Sequence, residues 1–336
     1  MRALLFAAVF AACSSAPSST PAVTEATPPV TIAAKGEVVH TSFDSKALGV
    51  TKDVVVYLPA GYAAQPDTRW PVFYYLHGLT GDERNWSGGL NLDETADAMN
   101  LGAIVVMPDG DDGFYTDSVT PRDYDACMAD GTGLFVPSAP KRSTCVRTPN
   151  YEQYIVNDLI SWVDATYRTI PEKKARAIAG LSMGGFGALK LALRHPDLFA
   201  ATASHSGVDA LLYQGPDPYV AGKVVLAEDL TKAPKDPFTQ WLVGIFGPDL
   251  ANWRANDPAS LVEKLEPGTL AIYLDCGTED GFRLHNGAQY LHDLLLAKEI
   301  DHAWYLGPGK HDGAFWRERV PHSLAFLAMH TGASTN

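Results

Sequence analysis

Ser182 stands between two glycines at a point where the pattern changes from strand to helix. Residues 176–193 read Arg-Ala-Ile-Ala-Gly-Leu-Ser-Met-Gly-Gly-Phe-Gly-Ala-Leu-Lys-Leu-Ala-Leu. A short apolar run ends in Gly180-Leu181-Ser182-Met183-Gly184, and a helical pattern follows. Such a corner lifts a serine hydroxyl clear of a sheet, and Gly180 and Gly184 leave room where a side chain would collide with the tight backbone. A serine hydroxyl is a poor nucleophile until a base takes its proton. The base is expected to be a histidine held in one tautomer by a carboxylate.

The chain order serine, acid, histidine narrows both partners. His311 lies in Gly307-Pro308-Gly309-Lys310-His311-Asp312-Gly313, a glycine-rich loop straight after the last expected strand. His292 and His322 fall in expected helices, His302 opens a strand, His195 ends a helix, and His205 follows a strand as a minor rival. For the acid, Asp275-Cys276-Gly277-Thr278-Glu279-Asp280 follows the strand 270–274. Asp280 lies in the loop proper and is favoured over Asp275 and Glu279. Two backbone N–H groups should meet the negative oxygen of a tetrahedral intermediate. Met183, directly after the serine, is one. Leu79, in the loop Leu76-His77-Gly78-Leu79-Thr80-Gly81, is the other. His77 is read as bracing that loop. Trp86, Tyr115, Asp117 and Trp316 are candidates for lining a substrate pocket.

These residues need a scaffold that brings distant loops to one edge. Apolar runs at 31–41, 54–59, 72–76, 103–107, 177–181, 198–204, 270–274 and 303–306 read as strands. Helical patterns separate them at 92–99, 151–167, 185–194 and 286–298, with 320–330 closing the chain. This alternation argues an α/β architecture with a mostly parallel central sheet and helices on both faces. Ligand sites in open sheets of that kind gather beyond the C-terminal strand edge. The organisation expected is one catalytic domain over 30–332 with inserted loops at about 111–149 and 209–258. Loops of that length usually cover or wall a site.

Residues 1–13 place one positive charge before a short apolar run, which reads as an export signal. The ending Phe10-Ala11-Ala12-Cys13 resembles a bacterial lipoprotein signal, although Phe10 departs from the usual aliphatic residue. That resemblance implies lipidation at Cys13 and membrane attachment through the N-terminus, with the protein in the bacterial cell envelope. Cleavage after a small residue such as Ala16 would instead give a secreted protein. Residues 14–29, rich in Ser, Thr, Pro and Ala, read as a flexible tether. Exported proteins keep disulfides, and Cys127 and Cys145 share one polar, irregular segment that a bridge would staple. Cys276 ends an apolar run and reads as a buried free thiol. A net charge of −13 without a basic stripe argues against nucleic acid as a partner. The chemistry requires no cofactor and no metal.

Six stretches carry a family resemblance: Tyr75-Leu76-His77-Gly78, Met107-Pro108-Asp109-Gly110, Tyr115-Thr116-Asp117-Ser118, Gly180-Leu181-Ser182-Met183-Gly184-Gly185, Asp275-Cys276-Gly277-Thr278-Glu279-Asp280 and His311-Asp312-Gly313-Ala314-Phe315-Trp316. Together the chain resembles the esterase D family of α/β hydrolases, which includes S-formylglutathione hydrolases, feruloyl and acetylxylan esterases and the antigen 85 mycolyltransferases. The resemblance implies the α/β-hydrolase fold, with the nucleophile on Ser182, the acid on Asp280, the base on His311 and the oxyanion donors on Leu79 and Met183. It implies a serine carboxylic-ester hydrolase acting through an acyl-enzyme. The compartment favours a small acyl or phenolic, feruloyl-type ester, free or linked to a polysaccharide. Transfer of the acyl group to an alcohol or sugar is the alternative, and a surface binding protein on a hydrolase scaffold is the non-enzyme one. The stretch 122–149 departs from the family's smaller esterases, which pass more directly to the helix at Tyr151.

Overall fold

A computed structural model describes residues 35–130, 144–230 and 235–336. The expected export signal and tether, with Cys13, fall outside the described residues.

Eight strands form one sheet in the order β1-β2-β4-β3-β5-β6-β9-β10. β1 (Glu37–Ser45) and β2 (Val50–Leu58) are an antiparallel hairpin, and β2 runs antiparallel to β4 (Ile104–Pro108). From β4 onward β3 (Val72–Leu76), β5 (Arg176–Leu181), β6 (Ala201–His205), β9 (Ala271–Gly277) and β10 (His302–Gly307) are parallel. This is the mostly parallel sheet of the α/β-hydrolase fold. A short ribbon, β7 (Tyr213–Gly215) with β8 (Val225–Leu226), stands apart from it.

The α-helices among the described residues include α1 (Leu92–Ala98), α2 (Tyr124–Asp130), α3 (151–166), α4 (Met183–Arg194), α5 (Pro237–Phe246), α6 (Leu250–Asn256), α7 (Pro258–Leu261), α8 (Leu284–Ala297) and α9 (Gly313–Thr331). The middle of α3, Tyr154–Leu159, is π-helical.

Strand pleating sorts side chains to the two faces with a period of two. Val72, Tyr74 and Ile178 pack with Phe186 and Leu189 of α4, Ile155 and Leu159 of α3, and Leu291 and Leu295 of α8. Phe73, Tyr75, Ala177 and Ala179 turn the other way, onto Leu92 and Ala96 of α1 and Val320, Leu324 and Leu327 of α9. All five side chains of β3 are buried, as a strand covered on both faces requires.

Two boundaries differ from expectation by more than four residues. The first strand starts at Glu37 rather than 31. α9 starts at Gly313, seven residues before the expected 320, and runs through Pro321. The side chain of Asp312 caps it, accepting from the amides of Ala314 and Phe315 at 3.1 Å each. A carboxylate there satisfies the otherwise unpaired first N–H groups. The early start places Trp316 in the first helical turn, directly after the His311 loop.

Parallel strands share one C-terminal edge. The loops after β3, β5, β9 and β10 therefore meet there, bringing residues 77–81, 182, 278–283 and 308–312 together.

Candidate active site

Ser182 has φ 53° and ψ −118°, a conformation that costs a non-glycine residue of order 1–3 kcal/mol. The surroundings enforce it. A Cβ on Gly180 would lie 2.2 Å from the carbonyl oxygen of Gly184, and one on Gly184 would lie 2.2 Å from that of Leu76. The turn therefore packs backbone on backbone, against both α4 and the end of β3. The Ser182 amide donates to the His205 carbonyl at 2.9 Å, and its own carbonyl accepts from Phe186 at 3.0 Å.

Three side chains form a line across the strand edge. Ser182 Oγ is 2.9 Å from His311 Nε2, and His311 Nδ1 is 2.7 Å from Asp280 Oδ2. A carboxylate accepts only, so Nδ1 carries the proton, and Nε2 is the acceptor for the serine O–H. Asp280 is buried, and its other oxygen accepts the amide of Phe282 at 2.8 Å. Burial alone would raise the Asp280 carboxyl. The hydrogen bond and charge of His311, with the amides of Phe282 and Leu284, hold it below the ordinary carboxylate range. The acid turn and the histidine loop are stitched together: Thr278 and Glu279 N–H donate to the carbonyls of Gly307 and Gly309, at 2.8 Å each.

Behind the acid lies a chain of weaker contacts. Trp316 Nε1 donates to Ser206 Oγ at 3.3 Å, the Ser206 hydroxyl bonds the Cys276 thiol, and that thiol donates to Asp280 Oδ2 at 3.7 Å. Cys276 is buried and free, as its sequence context suggests. Burial, and then the charge of Asp280, push its thiol up, so it stays protonated, its S–H donating to Asp280 while its sulfur accepts from the Ser206 hydroxyl.

The loop after β3 presses against the serine: a Cβ on Gly78 would meet Leu181 Cδ1 at 2.5 Å and Ser182 Cβ at 3.3 Å. His77 is buried and holds this loop from below. Its Nδ1 donates to the Gly78 carbonyl, and its Nε2 accepts the Gly110 amide, each at 2.8 Å. Thr80 N–H is bound by Asp112 Oδ1 at 2.8 Å and Gly81 N–H by the Gly78 carbonyl at 3.0 Å. Leu79 sits between the Gly78 carbonyl and the Thr80 amide, both of them held. Met183 opens α4, where backbone N–H groups have no partner within the helix.

Residues 45–327 match the family described as "Putative esterase". The chain belongs to this esterase family. Esterase Rv1288 of Mycobacterium tuberculosis is 33% identical over 178 residues, covering 50% of this chain and 32% of that protein. The chain thus spans about a third of the length of the first curated relatives it matches. An acetyl esterase of Caldicellulosiruptor saccharolyticus is 24% identical over 311 residues, covering 87% of this chain and 98% of the relative. Among solved structures, a ferulic acid esterase superposes with TM-score 0.65 at 20% identity, covering 88% of this chain and 98% of its own. An S-formylglutathione hydrolase from Agrobacterium tumefaciens superposes with TM-score 0.64 at 21% identity, covering 88% and 96%.

Within this esterase-family chain the other expected site residues divide. Trp316 does reach the line, its ring edge-on to His311 with centroids 5.0 Å apart. Trp86 and Tyr115 do not line a cleft, contrary to expectation: each is fully buried. Trp86 Nε1 donates to the Leu76 carbonyl at 3.0 Å, and Tyr115 O–H to the His77 carbonyl at 3.0 Å. Both anchor the root of the 77–81 loop, and their apolar rings favour the core over water. Asp117 is likewise structural: its Oδ1 accepts the amides of Glu152 and Gln153 at 2.9 and 3.2 Å, capping α3. Cys127 and Cys145 form a disulfide. Among the described residues no group of three or more His, Cys, Asp or Glu side chains could hold a metal ion.

The sequence reading missed Phe282, whose ring is edge-on to His311 with centroids 4.9 Å apart and which is 73% exposed. The available signal was a lone aromatic two residues beyond the acid in an otherwise polar turn. It also missed what the long segment after β6 does. Asp217 pairs with Arg283 and accepts from Asn286 Nδ2 at 3.1 Å, and the Tyr219 amide donates to Asn286 Oδ1 at 2.9 Å. That segment buttresses the acid turn.

Proposed function

We propose that this chain is a serine carboxylic-ester hydrolase acting through an acyl-enzyme. The observation that carries the reading is the hydrogen-bonded line Ser182–His311–Asp280, at 2.9 and 2.7 Å. As the Ser182 oxygen bonds to the ester carbonyl carbon, His311 Nε2 takes its proton. The carbonyl oxygen, now negative, accepts from the N–H groups of Leu79 and Met183. Each such donor is worth about 3 kcal/mol in the transition state. Collapse breaks the carbon–oxygen bond to the alcohol, which leaves with the proton from His311. Water then loses a proton to the same nitrogen as it attacks the acyl carbon; the bond to Ser182 Oγ breaks, the acid leaves, and His311 returns the proton to Oγ. Asp280 stays ionised throughout and holds the imidazole's tautomer.

The substrate class we favour is a small acyl or phenolic ester met outside the cytosol, with the chain carried there by its N-terminal export signal. The Cys127–Cys145 disulfide supports an oxidising compartment. The test is a panel of p-nitrophenyl esters from acetyl to decanoyl, methyl ferulate, acetylated xylan and S-formylglutathione, each run beside Ser182→Ala. Turnover of oxygen esters by the wild type and its loss in the variant is the expected result. Equal rates for both proteins would remove Ser182 as the nucleophile.

A further inference from the structure

A tetrahedral intermediate on Ser182 has four substituents around one carbon: the serine oxygen, the oxyanion, the acyl carbon and the leaving oxygen. The donors at Leu79 and Met183 fix the oxyanion. The leaving oxygen must come within hydrogen-bond reach of His311 Nε2, about 3 Å, to collect its proton. The acyl carbon is then directed away from the imidazole. Whatever flanks the imidazole on its open side therefore flanks the alcohol portion of the ester, not the acyl portion.

Two aromatic rings flank that imidazole. Trp316, half-buried, is tied by its Nε1 to Ser206 Oγ and packs on one side. Phe282 lies edge-on at 4.9 Å and is 73% exposed. A single exposed aromatic needs no explanation in general, so exposure alone decides nothing here. What decides is that the Phe282 backbone is pinned. Its amide donates to Asp280 Oδ1, the next residue Arg283 is left-handed at φ 59° and paired with Asp217, and Asn286 bonds Asp217 and the Tyr219 amide. These bonds tie the backbone carrying this ring to the acid turn, and an exposed apolar ring on a pinned turn beside the proton donor is a preorganised contact.

We propose that Phe282 forms the wall of the leaving-group side of the cleft and selects esters whose alcohol portion is apolar and planar, such as aryl or benzyl alcohols. This rests on the ester-hydrolase reading above. An acceptor alcohol, entering by the reverse of departure, would meet the same ring.

The experiment compares kcat/KM for ethyl acetate, benzyl acetate and ethyl hexanoate in the wild type, Phe282→Ala and Phe282→Leu, with thermal melting to confirm that each variant is folded. The expected result for Phe282→Ala is a loss of about tenfold on benzyl acetate, the size of one aromatic contact. Both ethyl esters should stay within about twofold, and Phe282→Leu should fall between. A similar loss on all three esters would overturn the proposal in favour of a role in holding His311. A loss confined to ethyl hexanoate would move the ring to the acyl side, and no change would remove it from the substrate altogether. Failure of the underlying reading looks different: folded wild type would then turn over none of the three esters, and both inferences would fall together.

Discussion

The amide of Ser182 is hung from the carbonyl of His205 on the neighbouring strand, at 2.9 Å. That one bond, with the crowding at Gly180 and Gly184, keeps the serine at φ 53°, where an L side chain is strained. Strain of this kind is held by its surroundings and should be recoverable as stability. Ser182→Gly is therefore expected to be more stable than Ser182→Ala by about 1 kcal/mol, after allowing for the greater freedom of glycine in the unfolded chain. Both variants should lose turnover by about four to six orders of magnitude. Paired denaturant titrations check the first statement, and equal midpoints for the two variants would contradict it.

Gly184 tests the same corner from the helix side. A methyl group there would lie 2.2 Å from the Leu76 carbonyl oxygen and 2.6 Å from that of His77. Backbone atoms of a central strand cannot step aside cheaply. Gly184→Ala should lose about 2–3 kcal/mol of stability. It should also lower kcat far more than an equal destabilisation elsewhere, because relief of the clash moves the 77–81 loop off the serine. Measuring kcat at a temperature where the variant is fully folded separates the two effects.

Asp280→Asn keeps the shape of the acid turn and removes its charge. An amide can present its N–H to Nδ1 of His311 and so favour the wrong tautomer, and kcat should fall by about 10⁴. The stability effect has a definite sign. The folded-state pKa of Asp280 is depressed, so its contribution is present above the unfolded carboxylate value and is lost as pH falls through the folded one. Wild type should exceed Asp280→Asn in stability at neutral pH, and the two should converge on acidification below about pH 4. A gap that stayed constant to pH 2 would rule this out.

Which parts of the fold and site were legible in the sequence follows from how each is encoded. β3 was read with its observed ends, because five consecutive apolar residues closed by a glycine turn have few alternatives. Residues 182, 280 and 311 were legible because each sits in a loop directly after an apolar strand, and parallel strands bring such loops to one edge. The start of α9 was missed because Pro321 reads as a first-turn residue, whereas the cap is Asp312 and the helix tolerates one absent N–H. Trp86 and Tyr115 were misjudged because their sequence surroundings are polar turns. Their burial comes from contacts with Leu76 and His77, which only the folded chain supplies. Phe282 escaped for the opposite reason: its neighbours in sequence are polar and so is its actual setting, and only the imidazole beside it gives the ring meaning.

Asp209 is an acid outside the Ser182–His311–Asp280 line. It is fully buried at the end of the segment leaving β6, and its Oδ1 accepts from Ser204 Oγ at 2.7 Å. Oδ2 is buried with no partner among the described residues. Burial raises this carboxyl, the Ser204 bond opposes, the charge of Asp275 adds to the rise, and the result is about 7. The proton belongs on Oδ2, so the folded protein holds a neutral acid where the unfolded chain holds an anion. Between about pH 4 and pH 7 the folded state therefore binds more protons, and stability must fall as pH rises through that window. Asp209→Asn is neutral at every pH and escapes the penalty. From pH 5 to pH 8 the wild type should lose stability relative to Asp209→Asn by an amount of the order of 2–4 kcal/mol. Thermal or denaturant midpoints of both proteins across that range would show it. Parallel pH dependence of the two curves would mean that Asp209 is ionised in the fold and that its second oxygen has found a partner.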